Sequence, residues 1–157
     1  MNYLEIEQKT LTEVAKSLNT LLSNYQVYYQ NLRNYHWNVT GEHFFDLHQQ
    51  FEDLYNVARE NIDEVAERIL TLRKKPVSTL KEYLEISSIK ENCTMKPHEM
   101  VDNILSDHAE LISCMRAVIE QAGKVEDEGT IDLIGGFLSD IEKRSWMLDA
   151  WSKEKSN

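Results

Sequence analysis

Apolar residues recur every three or four positions in four long stretches of the chain, the spacing that places them on one face of an α-helix. The first stretch runs from Leu4 to Tyr35, with Leu11, Val14, Leu18, Leu21, Leu22, Tyr25, Tyr28, Tyr29 and Leu32 in phase. It ends at Asn38-Val39-Thr40-Gly41, where Asn and Gly supply turn chemistry. The second runs from His43 to Leu72 and carries a near-continuous stripe that includes Phe44, Leu47, Phe51, Leu54, Ala58, Ile62, Val65 and Ile69. Lys74-Lys75-Pro76 closes it, with cations near the negative end of the helix dipole and a proline after them. Residues from Val77 to Met95 are irregular, apart from a short helix expected over Thr79–Leu84. A third helix is expected from Pro97, a favoured first-turn residue, to Gly123, and a fourth from Thr130 to Trp151. The pattern predicts an all-α, four-helix bundle with a short extra helix between helices 2 and 3, in a single domain over residues 1–157. The Gly135-Gly136 pair inside the last helix is unusual; it either admits a close neighbour or weakens the helix locally.

Composition agrees with long helices, since only 5 glycines and 2 prolines interrupt 157 residues. The formal charge of −10, from 27 acidic and 17 basic side chains, favours cations and repels polyphosphates. Cys93 and Cys114 form no CxxC pattern and read as reduced thiols rather than a disulfide framework. The start, MNYLEIEQKT, lacks the charged and apolar regions of a secretory leader, and no apolar run is long enough to span a membrane. A cytoplasmic location is therefore expected.

Two pairs of ionisable residues sit one turn apart on the second helix: His48 with Glu52, and Asp63 with Glu67. With about 100° of rotation per residue and His48 as zero, Glu52 falls at about 40°, Asp63 at about 60° and Glu67 at about 100°. The apolar stripe centres near 290° on the same scale, so all four share one edge beside it. Along the axis, Glu52 and Asp63 are about 16 Å apart, far beyond the reach of ligand bonds of about 2 Å within one helix. If the pairs serve one metal, antiparallel second helices across a two-fold axis supply it, and symmetry makes two sites per dimer. His36, at the end of the first helix, adds a third donor. Imidazoles and carboxylates together suit Fe(II), Mn(II) or Zn(II). Each pair alone also fits a plain solvated helix face.

His36-Trp37-Asn38, Gly41, Phe44, Leu47-His48, Phe51-Glu52, Tyr55, Asp63 and Ala66-Glu67-Arg68 together resemble the ferroxidase motif of the Dps family of mini-ferritins. The resemblance extends over nearly the whole chain in length and helix layout. It implies that His36, His48 and Glu52 from one subunit and Asp63 and Glu67 from its two-fold mate are the catalytic metal ligands. The Glu52 position is often Asp in the family, so the longer carboxylate alters metal spacing or affinity. It further implies a hollow dodecamer built from dimers, in which Fe(II) is oxidised by hydrogen peroxide, or more slowly by oxygen, and stored as Fe(III). Zinc competes for such a site. A conventional ferritin instead holds its iron within one subunit through Glu-x-x-His pairs. The residues three before the five histidines are Arg33, Thr40, Phe45, Met95 and Leu105, so that motif is missing.

The same resemblance makes Trp37 an electron donor beside the site and places iron-admitting three-fold pores near the start of the last helix. There Glu126, Asp127, Glu128 and Asp132 cluster; Asp127, Glu128 and Asp132 are the pore candidates, the last two sharing a face. Acids near a helix N-terminus also simply stabilise its dipole. Trp146 reads as a packing residue, and His43, about 140° round from His48, as a turn or surface residue. Many Dps proteins bind DNA through a Lys-rich N-terminal tail. Here Lys9 is the only basic residue before Lys16, and Lys153-Glu154-Lys155 alternates in sign, so direct DNA binding is expected to be weak or absent.

Overall fold

The computed structural model describes residues 1–153; Glu154 and Lys155 lie outside the described residues. Its helices are α1 (Thr12–Asn38), α2 (Phe44–Thr71), α3 (Leu80–Ile86), α4 (Pro97–Gly123) and α5 (Glu128–Ser152). α1 packs on α2 and α4, α5 packs on α4, and the short α3 lies against α1. Buried Leu18, Leu22, Leu32, Phe51, Ile69, Met100, Ile104 and Leu111 belong to one core shared by the long helices. The expected bundle with a short crossover helix is therefore the observed one.

Element ends differ from the periodicity in informative ways. Leu4 continues the apolar phase of α1, but residues before Thr12 form turns that fold back over the end of α2. The Tyr3 hydroxyl donates to the Thr71 carbonyl, and Arg73 donates to the Met1 carbonyl. Leu4 and Ile6 pack against the core from outside the helix. α2 ends with Arg73 at φ 62°, its N–H bonded to the Leu70 carbonyl and that of Lys74 to the Ile69 carbonyl. This is a Schellman closure made without glycine. α4 ends at Gly123 as expected, and the turn that follows closes in the same way with Glu126 in the left-handed position (φ 56°). The Asp127 N–H reaches back to the Ala122 carbonyl, and the Asp127 side chain then caps α5 by accepting from Thr130 N–H. A Cβ at Gly135 or Gly136 would meet no atom within 4 Å, so packing within the chain does not require glycine at either position.

The long crossover between α2 and α4 is held by asparagines of α1. Asn19 donates to the Lys75 carbonyl and accepts from Val77 N–H. Buried Asn24 accepts from the N–H groups of Ser88 and Ile89 and from the Ser87 hydroxyl. Asn31 donates to the Lys90 carbonyl and accepts from Asn92 N–H, while Asn34 donates to the Asn92 carbonyl. A loop lying against a helix cannot complete a ladder of its own, and these amides supply the missing partners.

Inside the core, His108 is fully enclosed between Tyr28 and Ser145. Burial, reinforced by the nearby Arg144 charge, lowers its pKa to about 3. The unfolded chain, with an ordinary histidine value of about 6.5, therefore binds one more proton than the folded chain between those two pH values. Stability contributed by this group is present above pH 6.5 and is lost as pH falls toward 3. Adjacent Asp107, pushed up to about 6 mainly by burial, acts in the opposite sense, losing stability as pH rises from its ordinary value. Comparing wild type with His108→Gln isolates the histidine, because Asp107 stays in both. We expect denaturation midpoints of the variant to fall less steeply between pH 6.5 and 4, with a difference on the order of a few kcal/mol. Parallel acid limbs would show that His108 does not carry this slope.

Candidate metal centre

The last turn of α1 meets the second turn of α2 through two histidines. The rings of His36 and His48 stack with centroids 3.7 Å apart and planes 15° apart. His36 Nδ1 lies 2.7 Å from the His48 carbonyl, and His48 Nδ1 lies 2.7 Å from the His36 carbonyl. A carbonyl only accepts, so both Nδ1 atoms carry their protons, and Nε2 is the atom of each ring left for a metal. This is the arrangement that fixes the tautomer and ring plane of a metal-binding imidazole. Phe44 stacks on His48 at 4.8 Å, and Tyr55 meets the edge of His36 at 5.2 Å. His36 is only 7% exposed, whereas His48 is partly open.

Glu52 lies one turn beyond His48 on α2, half-buried, and accepts a long hydrogen bond from the Tyr55 hydroxyl at 3.4 Å. Partial burial, followed by the Glu52 charge, raises the Tyr55 pKa above its ordinary value. The structure thus brings His36, His48 and Glu52 to one end of the α1–α2 pair. Asp63 and Glu67 stand exposed farther along α2. Within one chain, and among the described residues, no group of three or more His, Cys, Asp and Glu side chains is arranged to hold a metal.

The remaining candidates are dispersed. Trp37 is 61% exposed beside His36, with the Arg33 guanidinium 5.5 Å from its ring centre. Trp146 is exposed on α5 rather than packed in the core. His43 lies in the turn before α2, near His98 and Trp151 and away from the paired rings. Glu128 and Asp132 are exposed one turn apart on α5, and Glu126 is exposed in the preceding turn.

Asp127 differs from its exposed neighbours. It is 2% exposed, and one oxygen accepts from Arg68 at 2.6 Å and from Thr130 N–H at 3.1 Å. Its other oxygen accepts from the Thr130 hydroxyl. Both oxygens are engaged in holding the α5 N-terminus to Arg68 of α2, next to Glu67. Gly129 makes room for this contact, since a Cβ there would come within 2.7 Å of the guanidinium. Sequence reasoning grouped Asp127 with the pore acids because composition does not show which acid turns inward; the signal was an Asp three residues before Thr130, the spacing of an N-cap. It also placed Tyr55 within the resemblance without a role. Its position three residues after Glu52 was the available sign that the two side chains meet.

Residues 15–155 match the family model of the ferritin-like domain. The chain is 42% identical to the DNA protection during starvation protein of Porphyromonas gingivalis, over 94% of this chain and 93% of that one. It is 39% identical to the protein of the same description from Brevibacillus brevis, over 88% and 93%. It superposes on the Dps protein of Vibrio cholerae, described as a member of a broad superfamily of ferritin-like diiron-carboxylate proteins, with a TM-score of 0.93. Identity there is 38%, covering 96% of each chain. A Dps protein from Bacillus brevis gives a TM-score of 0.89 at 37% identity, covering 93% of this chain and 99% of that one.

The paired main-chain contacts make a spectroscopic prediction. Solid-state 15N spectra of histidine-labelled protein should show His36 and His48 protonated on Nδ1. An Nδ1 without its proton at either position would contradict the hydrogen bonds described.

Proposed function

The chain belongs to the Dps proteins of the ferritin-like family, and from that premise we propose that it oxidises Fe(II) with hydrogen peroxide, or more slowly with oxygen, and stores the Fe(III). The observation that carries this reading is the reciprocal locking of His36 and His48, which leaves Nε2 of both rings for a metal, with Glu52 one turn beyond His48 on α2. The donors are nitrogen and oxygen: Cys114 is buried against Asn24, and Cys93 lies in the crossover. This set suits ferrous iron as substrate, with zinc as a competitor.

In this proposal His36, His48 and Glu52 bind iron from one subunit, and Asp63 and Glu67 complete the site from a two-fold mate. The carboxylates stabilise the ferric product, and the imidazoles hold the ferrous substrate through Nε2. Two ferrous ions supply one electron each to peroxide, whose O–O bond breaks and whose oxygens take up two protons to leave as water. The mates assemble into a dodecameric shell in the cytoplasm. Exposed Phe45, Trp146 and Met147, unusual on so acidic a chain, support burial against further copies. Glu128 and Asp132 line the iron inlet, with Asp127 positioning them from behind. Trp37 donates electrons beside the site.

Protection in this reading comes from removing ferrous iron and peroxide together rather than from coating DNA. The net charge of −10 supports that preference. No electrophoretic retardation of duplex DNA is expected at physiological salt; a salt-sensitive shift there would restore direct binding.

The principal test is Fe(II) added without oxygen, then peroxide, with ferric absorbance and particle size followed together. Wild type should oxidise iron rapidly and keep it soluble in a large assembly. His36→Ala combined with His48→Ala should slow the fast phase by ~100-fold, since even disturbing the partners of metal ligands costs 10–100-fold. Asp63→Ala should slow it comparably, and all variants should keep their helical content. Wild-type rates in either variant would refute the ligand assignment.

A further inference from the structure

Away from the paired histidines, the core holds a hydrogen-bonded chain linking α1, α4 and α5. Tyr28 Oη lies 2.8 Å from His108 Nε2, His108 Nδ1 lies 2.7 Å from Ser145 Oγ, and Ser145 Oγ lies 2.7 Å from the Ile141 carbonyl. The proton directions follow from the far end. The Ile141 carbonyl only accepts, so the Ser145 hydroxyl donates to it, and Ser145 Oγ accepts from His108 Nδ1–H. His108 Nε2 is then an acceptor, and the Tyr28 hydroxyl donates to it.

Both residues are buried, Tyr28 to 3% and His108 to 1% exposure. Burial keeps the imidazole neutral and pushes the phenol well above its ordinary pKa, so neither carries charge at rest. The charged groups acting on the pair are Asp107, Asp140 and Arg144. A phenol bonded to a neutral base loses an electron more readily than an isolated one, because its proton moves to the base as the electron leaves. A phenol that has lost an electron is a strong acid, so even a weakly basic buried imidazole accepts that proton.

A line of tyrosines joins this pair to the candidate centre. The His36 ring meets Tyr55 at 5.2 Å, Tyr55 meets Tyr29 at 6.0 Å, and Tyr25 meets Tyr28 at 6.2 Å. Tyr25 and Tyr29 are one turn apart on α1, a spacing of about 5–6 Å between Cβ atoms.

We propose that Tyr28 and His108 form a proton-coupled electron donor that quenches one-electron oxidants arising at the candidate centre, through Tyr55, Tyr29 and Tyr25. The proposal rests on the iron-and-peroxide reading for its oxidant, the hydroxyl radical formed when peroxide takes one electron from Fe(II). That radical takes an electron from Tyr55 and becomes hydroxide. The vacancy passes along the tyrosines until Tyr28 fills it. The Tyr28 proton moves to His108 Nε2, leaving a neutral phenoxyl radical and an imidazolium. One further ferrous ion returns the electron, and the proton goes back to Tyr28.

The test is freeze-quench electron paramagnetic resonance of protein mixed with Fe(II) and excess peroxide, with ferric iron measured in the same samples. A parallel iron-free arm uses photogenerated sulfate radical as the oxidant. Wild type is expected to give a tyrosyl radical that Tyr28→Phe loses. His108→Gln should shift its g-values and shorten its life. In heavy water, wild type alone should show an exchangeable deuteron hydrogen-bonded to the phenoxyl oxygen, a readout independent of whether either variant folds. Rapid iron oxidation with a radical unchanged by Tyr28→Phe, or a wild-type radical without that deuteron, overturns the donor. Iron oxidation no faster than buffer, with the Tyr28 radical still formed in the iron-free arm, upholds the donor and removes only the iron reading.

Discussion

The two hydrogen bonds exchanged between His36 and His48 fix the part of the molecule on which its chemistry turns. Each imidazole grips the main chain of the other helix, so the connection from α1 to α2 is pinned at both ends. One pair of contacts sets helix spacing, ring plane and tautomer together. Replacing either ring removes a donor atom and also frees a carbonyl and a helix end. Packing by Phe44 and Tyr55 on the two rings restricts the motion that remains.

The opposite end of α2 is held by different chemistry. Arg68 bonds to Asp127 and Thr130 at the start of α5, while Tyr3 reaches the Thr71 carbonyl from the N-terminal segment. α2 is therefore anchored through imidazoles at one end and a guanidinium at the other, and Asp63 and Glu67 project from the stretch between. The asparagines of α1 hold the crossover that must pass from one end of the bundle to the other. Main-chain groups that no regular ladder satisfies are met by side chains at each of these places.

How much of this could be read from the chain depended on how far each signal reached. Apolar periodicity located all four long helices, and Pro97 marked the start of α4. Leu4 misled at the N-terminus because it keeps the apolar phase while packing from a turn. Gly123 marked the end of α4, although the left-handed position of the turn that follows falls to Glu126. The spacing of His48, Glu52, Asp63 and Glu67 showed a shared edge, His36 was offered as a donor by its place at the end of the first helix, and the family resemblance joined the five. The mutual grip of His36 and His48 was not legible, since periodicity says which way a residue faces but not which carbonyl it meets. The asparagines were equally silent: their partners lie 56 to 65 residues away, beyond any local pattern. Asp127 was seen as charge when its role is shape, a cap and an ion pair closed over a glycine.

That last contact constrains how the chain can vary. A methyl group at position 129 would strike the Arg68 guanidinium, which is tethered to Asp127 and Thr130 and has little freedom to yield. Arg68, Asp127 and Gly129 are therefore not three independent positions. A lineage that first lost the arginine could admit many residues at 129, but once one had settled there, restoring the arginine alone would no longer restore the contact. The order of changes would therefore matter at this corner of the fold, because a side chain at 129 and an arginine at 68 compete for one space.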